Sequence, residues 1–485
     1  MAFDRGMRRH RLEILSSEEV QRVHCGTLEV LEDVGVVFQE RSSLEILRDA
    51  GCRVDFEAQR VRFPSWVVEN SIARAPSSFG LYGRDGKQHM RLGDHRTYFA
   101  PNALAVNVVD TNGTFRAATL RDVENLTRLA DALPNVHEGH GSVHPRDVPE
   151  QAAHAHAMLA MFRNTTKPFK GRGWGIGQAR DSIRMAEVVA GGPENLRARP
   201  LVIRNINSVS PLGHGKELLE GALEYVRNGL PVIVTPEIQF GGTGPITLAG
   251  ALVQENAEVL SFLTLAETLR PGTPIVYGTV SSAMDMRQGS LPYATVEAFL
   301  FNMMIAQMAR FYGLPSRGSG GVSEAHTVDP QAGLDATFGI FCAVLGGVNY
   351  VQGVGGLSSS LTTSYAKLVM DDEIVAIASR LAEGCLVNEN TLALHVIREA
   401  GPLGMYLNKR HTLENFKAGS LFLPGLLGRE VRERWQELGA QELQEVARSR
   451  AETLLQTHQP PPLSPEVERE LETIVRQIET RELGE

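Results

Sequence analysis

From about residue 120 the chain repeats one pattern: a short apolar run, a polar or glycine-rich turn, then a longer stretch with apolar residues at helical spacing. Apolar runs at 136–140, 168–171, 201–205, 232–236, 275–278, 314–317 and 350–353 precede helical patterns at 149–163, 179–190, 215–228, 245–269, 293–312, 331–345 and 361–382. These are seven strand-then-helix units, and residues 103–109 are the candidate for an eighth strand. Strands alternating with helices predict a parallel sheet. Eight right-handed crossovers close such a sheet on itself. The expected fold class is α/β: a (β/α)8 TIM barrel with an N-terminal α/β preface and a C-terminal helical extension. A doubly wound open sheet is the alternative, and the lack of a GxGxxG turn after any strand counts against it.

Before the repeat, Val20, Val23, Leu28, Leu31 and Val34 recur at helical spacing behind the N-cap candidates Ser16 and Ser17. Short strands are expected near 61–63, 79–82 and 97–100, with turns at Asp85-Gly86 and Asn112-Gly113. After about residue 425 Glu, Arg and Gln dominate, with periodic Leu, and a proline-rich break at 459–465 precedes a last charged helix. The expected organisation is a preface over 1–115, a catalytic barrel over 116–425 and a helical tail over 426–485. The tail is expected to be solvated or to brace a homo-oligomer.

Composition narrows the function. A net charge of −9 disfavours a nucleic-acid groove, which needs clustered Lys and Arg. The basic opening, Arg5, Arg8, Arg9 and Arg11, is short enough to be a solvated terminus. Cys25, Cys52, Cys342 and Cys385 form no CxxC pair, which argues against a zinc ribbon and fits a reducing compartment. No apolar signal segment or membrane-length run is present, so the expectation is a cytoplasmic protein.

In a barrel the reacting groups sit just after the strands. Glu237 follows the run at 232–236, where a carboxylate can hold a cation, move a proton or simply bind the amides of its own turn. Asp285 and Arg287 follow the run at 275–278 and suit a loop-fixing ion pair; Tyr277 at that run's end offers a ring to a cation. The most polar loop, 315–333, holds Arg317, whose planar fork can clamp a carboxylate, and His326, either a proton-transfer group or an idle surface residue. Gln352 opens a glycine-rich turn with no lysine of nucleotide-loop type. His137, His140 and His144 fall on a strand and loop, and His154 and His156 do not share a helical face, so no metal site is expected from them.

Four stretches together resemble the trimethylamine methyltransferase family: Gly244–Glu258, Met284-Asp285-Met286-Arg287, Asp329-Pro330-Gln331-Ala332-Gly333, and Leu368-Val369-Met370-Asp371-Asp372-Glu373-Ile374. The resemblance runs in order from about residue 10 to 425. It implies a methyltransferase of barrel fold whose methyl acceptor is the Co(I) of a corrinoid, carried by a small separate corrinoid-binding protein. Founding members carry pyrrolysine in the loop matching 323–329. This chain has only standard residues there, with His326 near that position, and so resembles the branch acting on glycine betaine and other quaternary amines. Betaine-type members tend to carry His where this chain has Gln352, and an aromatic near Gly356.

The resemblance implies a small methylated cation held among the rings of Tyr98, Phe99, Phe240 and Tyr277, with Glu237 adding charge and Arg317 binding any carboxylate. Asp285 is counted with the substrate-binding residues, and Glu237, His326 and Gln352 are the catalytic candidates, the last two orienting substrate or acceptor. A lyase-type barrel enzyme using acid–base chemistry and a non-catalytic quaternary-amine sensor are the rival classes.

Overall fold

The computed structural model describes residues 11–484. Arg5, Arg8 and Arg9 of the basic opening lie outside the described residues; Arg11 donates to His95 Nδ1 at 3.0 Å. The centre of the molecule is a curled seven-stranded parallel sheet. Its strands are β1 (Tyr98–Pro101), β2 (Phe169–Lys170), β3 (Val202–Ile206), β4 (Val232–Val234), β5 (Ile275–Gly278), β6 (Ser316–Ser319) and β7 (Tyr350–Val354). They are ordered β1-β7-β6-β5-β4-β3-β2.

Two expectations change here. The strand that joins the sheet from the N-terminal region is Tyr98–Pro101. Within the expected strand at 103–109, Asn107–Val109 pairs instead with Thr362–Ser364 and Phe115–Ala117 in a small separate sheet. Residues 136–140 form no regular strand, yet they lie between the two sheet edges. His137 N–H donates to Phe99 O at 2.8 Å, and Gly139 N–H donates to Pro168 O at 3.0 Å.

Side chains alternate along each strand with a period of two. Ile203, Ile233, Val276, Tyr98, Ala100 and Tyr350 point inward and pack with Leu81, Met90 and Leu92. The last three come from an antiparallel hairpin, Phe79–Tyr82 with Gln88–Leu92, which plugs the end of the sheet where the strands begin. Val202, Val232, Val234, Ile275 and Val351 point outward into the layer of helices. The outer helices are α1 (Ala153–Asn164), α2 (Gly175–Ala190), α3 (Lys216–Arg227), α4 (Leu248–Leu269), α5 (Val296–Phe311), α6 (Pro330–Gly346) and α7 (Tyr365–Glu383).

The four stretches singled out in the sequence fasten loops. In α4, Glu258 accepts hydrogen bonds from Ser210 Oγ at 2.8 Å and Leu212 N–H at 2.9 Å, and Glu255 accepts from Ser281 Oγ at 2.5 Å. Asp329 caps α6 by accepting from Ala332 N–H at 3.0 Å, with Pro330 in the first turn. Asp372 in α7 accepts from Asn135 N–H at 2.8 Å.

Asp371 and Lys367, one turn apart in α7 and each 1% exposed, pair at 2.7 Å. Lys367 Nζ also donates to Gly321 O at 2.5 Å, and Asp371 Oδ2 accepts from Gly355 N–H at 2.6 Å. One buried pair thereby fixes the loops after β6 and β7. Asp371→Ala is expected to destabilise the fold by about 3–5 kcal/mol, because it leaves a buried ammonium and a buried N–H without partners. The double change Asp371→Leu with Lys367→Met is expected to recover part of that loss in a thermal melt. A double variant as unstable as the single one would show that the charge is not the cause.

The C-terminal helices α8 (Leu443–Thr457) and α9 (Pro465–Leu483) pack on the chain's own body. Leu471, Ile474, Val475 and Ile478 are buried, and Arg163 of α1 pairs with Glu468 at 2.8 Å and Glu472 at 2.6 Å. No described helix is long and apolar enough to cross a membrane.

Candidate active site

Opposite the hairpin plug, at the C-terminal ends of the strands, lies a cavity of about 840 Å³. Glu237, Arg317 and Gln352 all line it; Glu237 lies just beyond β4, while Arg317 and Gln352 lie within β6 and β7. Parallel register places Ser319 of β6 beside Gln352 of β7, and Gln352 beside Ala100 of β1.

Gln352 is the meeting point of two cations. Its Oε1 accepts from Arg317 Nη2 at 2.9 Å and from Lys170 Nζ in a shorter contact. Two cationic donors on one oxygen fix the amide orientation, with Nε2 turned away from them. An amide carbonyl has two lone pairs for this task, whereas a neutral imidazole offers one. Arg317 also donates to Thr279 O and, at 3.2 Å, to Ser319 Oγ. Its fork is therefore largely committed within the chain, and burial holds its pKa down to about 10 against the raising influence of Tyr350, Glu255, Glu138 and Glu237.

Below this layer, Glu138 Oε1 accepts from Lys170 N–H at 2.9 Å, and its other oxygen accepts from Tyr350 O–H. Lys170 Nζ also stands 5.3 Å from the Tyr350 ring centroid. Burial pushes the Glu138 carboxyl up and the Lys170 ammonium down, each opposed by the charge of the other. This interior chain of acid, phenol, amine and amide escaped the sequence reading. Lys170 and Glu138 sit in short apolar segments, and their partner Tyr350 lies far along the chain.

The cavity walls differ in charge. Glu237 Oε1 accepts from Tyr293 O–H, and Tyr293 N–H donates to Glu324 Oε1 at 2.7 Å. Burial and the neighbouring Glu237 push the Tyr293 phenol up, so it stays a donor. On another wall Arg172 Nη2 donates to Val143 O at 2.9 Å, while its buried Nε has no partner within the chain. Arg172 takes part in no ion pair among the described residues; burial alone holds its pKa down to about 10. Both ring nitrogens of His140, also lining the cavity, lack hydrogen-bond partners, and burial keeps this imidazole neutral. His154 lines the cavity too; its Nε2 meets Asp181 Oδ2 at 3.0 Å, and Arg481 of α9 grips the same carboxylate at 2.6 Å. The structure thus brings His140, His144 and His154 to one cavity although their sequence spacing kept them apart. No group of His, Cys, Asp or Glu with metal-holding geometry occurs among the described residues.

The four rings proposed from sequence do not line this cavity. Tyr277 and Phe99 fall on the outward parity of their strands. Tyr277 O–H donates to Asn256 Oδ1 at 3.0 Å, and Phe99 packs in the helical layer. Phe240 packs on Phe301 of α5 with ring centroids 4.8 Å apart. Tyr98 points inward, but at the plug end, where it borders a smaller cavity of about 480 Å³. Asp285 is held by Arg287 at 3.2 Å in an exposed loop, as a loop-fixing pair. His326 is exposed, with Nδ1 2.8 Å from Ser358 Oγ. Besides the three imidazoles, the rings that line the cavity are those of Tyr293 and Trp174, the latter residue 65% exposed.

A curled parallel sheet with a cavity of charged groups and apolar surface at its strand ends is the setting of a small-molecule site, and the similarity to known proteins makes the chain a methyltransferase. The sequence profile described as "Trimethylamine methyltransferase (MTTB)" matches residues 4–483, and the chain belongs to that family. It is 35% identical to a glycine betaine methyltransferase of Desulfitobacterium hafniense strain Y51, over 97% of this chain and 98% of that one. A trimethylamine methyltransferase of D. hafniense strain DCB-2 is 34% identical, over 96% and 93%. A trimethylamine methyltransferase of Methanosarcina barkeri is 30% identical, over 96% and 94%. The crystal structure of the M. barkeri monomethylamine methyltransferase aligns over 93% of this chain and 96% of that one, with TM-score 0.45 and 12% identity.

Proposed function

We propose that this enzyme moves a methyl group from a carboxylated quaternary ammonium compound, a betaine, to the Co(I) of a corrinoid carried by a partner protein. The observation that carries the reading is the pairing of opposite charges in one cavity. Glu237, steadied by Tyr293, suits the ammonium end; the unpaired Arg172 suits a carboxylate. A cavity that presented only Arg172, Lys170 and Arg317 would repel a simple cation. A zwitterion satisfies both walls. The names of the relatives, one acting on glycine betaine and others on trimethylamine, support the donor class.

A quaternary nitrogen leaves as a neutral amine, so its departure needs no acid. What the residues supply is binding and orientation: Glu237 draws the cation, Arg172 anchors the far end, and the Gln352 amide is fixed by Lys170 and Arg317 with its Nε2 available to the cavity. Co(I), when brought to the mouth, supplies the nucleophile. The mouth fits such a group. Its rim exposes Leu104 (55%), Trp174 (65%) and Leu361 (59%), apolar surface suited to a macrocycle and its carrier rather than to water. Ser358, Ser359 and Ser360 nearby hold φ of 51°, 51° and 70°, a strained run of about 1 kcal/mol per residue or more, such as functional loops store. In the same reading the seven strands and residues 136–140 make up a (β/α)8 barrel that opens at Tyr98 rather than after residue 115, the chain before Tyr98 and residues 426–485 are its extensions, and the protein works in the cytoplasm.

The test is methyl-Co(III) formation, followed by absorbance, with purified enzyme, a reduced corrinoid protein and a donor panel. Betaines are expected to react, while trimethylamine and tetramethylammonium stay at background. Tetramethylammonium as good as any betaine would sink the carboxylate requirement. No reaction with any donor would sink the acceptor.

A further inference from the structure

Between the outer face of the sheet and the helices α2 and α3 lies a guanidinium with nothing to meet it. Ile203 of β3 packs inward with the plug, so Arg204, the next residue, faces the helices. Arg204 is 6% exposed, its Nε has no hydrogen-bond partner, and it takes part in no ion pair among the described residues. Burial holds its pKa down, and the nearby phenol of Tyr225 opposes that shift. The buried carboxylates of α2 and α3 are taken by other cations, Asp181 by Arg481 at 2.6 Å, and Glu224 by Arg180 at 2.9 Å and Arg227 at 2.8 Å.

The guanidinium reaches the head of α2. A Cβ on Gly221 of α3 would lie 3.5 Å from Arg204 Nη2 and 3.3 Å from Gly175 O, so both groups crowd one corner. The chain entering α2 reads Gly171-Arg172-Gly173-Trp174-Gly175-Ile176-Gly177. Gly173 and Gly175 hold φ of 121° and 65°, where a side chain would be strained. A Cβ on Gly175 or Gly177 would meet nothing within 4 Å, so the backbone there stands open. Trp174 at the N-cap position gives the first turn no side-chain acceptor. The first N–H groups of a helix lack intrahelical partners and carry the positive end of its dipole. Gly173, Trp174, Gln178 and Arg204 all line the large cavity.

We propose that Arg204 and the head of α2 form an oxyanion subsite that takes a phosphate group, separate from the carboxylate anchor at Arg172. Bare amides on a glycine-rich turn and a buried cation are the parts from which phosphate sites are made. The guanidinium comes from the sheet and the amides from the helix. A tetrahedral oxyanion can accept from both directions at once, whereas a planar carboxylate is satisfied by one fork. An unpaired buried cation is costly to the empty protein, and an anion in this corner offsets that cost. Arg172 follows the inward parity of Lys170, so the two guanidiniums serve different groups. The phosphate has two sources: the free ion, or a phosphomonoester carried by a quaternary ammonium donor whose cation meets Glu237. The second source rests on the proposed function; the subsite itself does not.

The experiment is a calorimetric titration of inorganic phosphate into the full chain, with potassium chloride at equal ionic strength as the control. The wild type is expected to bind phosphate saturably. Arg204→Met, which keeps most of the volume, and Ile176→Pro, which deletes one N–H at a helix start where proline is tolerated, are each expected to weaken binding about tenfold. A thermal melt gives a second readout: phosphate is expected to raise the melting temperature of the wild type and to leave that of Arg204→Met unmoved. Choline phosphate distinguishes the sources. Binding tighter than that of inorganic phosphate, with the gain lost in Glu237→Gln, assigns the group to the donor; affinity no better than that of inorganic phosphate assigns it to the free ion. No saturable phosphate binding by the wild type, or binding that both variants leave intact, overturns the subsite. Neither readout uses methyl transfer, so a failure here is distinct from a failure of the betaine reading.

Discussion

Replacing Glu237 by Gln is expected to lower kcat/KM for the betaine donor about 100-fold, with little change in thermal stability. The side chain keeps its shape, and its Oε1 can still accept from Tyr293 O–H, so the substitution removes charge and little else. A carboxylate about 5 Å from a quaternary nitrogen in a half-buried site gains roughly 3 kcal/mol at an effective dielectric near 20. A loss of about 100-fold corresponds to about 2.7 kcal/mol. Among the carboxylates lining the cavity, Glu150 pairs with His144 at 2.9 Å with its side chain 76% exposed, which leaves Glu237 as the group free to meet a cation inside. Tyr293→Phe separates positioning from charge: it removes one hydrogen bond and is expected to cost about tenfold or less. Unchanged kcat/KM in Glu237→Gln would mean that the nitrogen lies elsewhere in the cavity, and the opposed-charge reading would fall with it.

The alternation of strand and helix was legible because each inner strand is a short apolar run and each helix a long one with helical spacing. Boundaries failed where that signal is thin. Tyr98–Pro101 is a four-residue strand ending in proline, and the neighbouring 103–109 reads as the better β segment although Asn107–Val109 belongs to another sheet. At the site, Glu237, Arg317 and Gln352 were found because they follow apolar runs. Tyr277 and Phe99 were placed by residue type, and strand parity sent both rings outward: Val276 points in, so Tyr277 points out. Lys170 was missed because the group that balances its charge, Glu138, is remote in sequence, and Arg172 because nothing beside it in the sequence marks a buried guanidinium left without a partner. The stretches that carry the family resemblance proved to be loop fasteners, with Glu255, Glu258, Asp329 and Asp371 bonding to backbone and hydroxyl groups.

Arg172 supplies the second large effect, and its sign differs between binding and stability. Arg172 as a residue is 5% exposed, and its guanidinium has one carbonyl partner, Val143 O, and forms no ion pair among the described residues. An unpaired buried cation is costly to the empty protein. Arg172→Met keeps most of the side-chain volume and removes that cost. The unliganded variant is therefore expected to melt at the wild-type temperature or a few degrees above it, a gain on the order of 1 kcal/mol. For a betaine, the same change deletes the charge-assisted anchor for the carboxylate. KM is expected to rise about 100-fold, while kcat changes less because the methyl end is held by Glu237. An arginine that merely supports the fold would give the opposite stability result, a lower melting temperature with KM little changed. A destabilised variant with wild-type KM would remove Arg172 from the site and pass the anchoring role to Arg204. That second buried guanidinium lines the same cavity, and its Nε likewise has no partner within the chain.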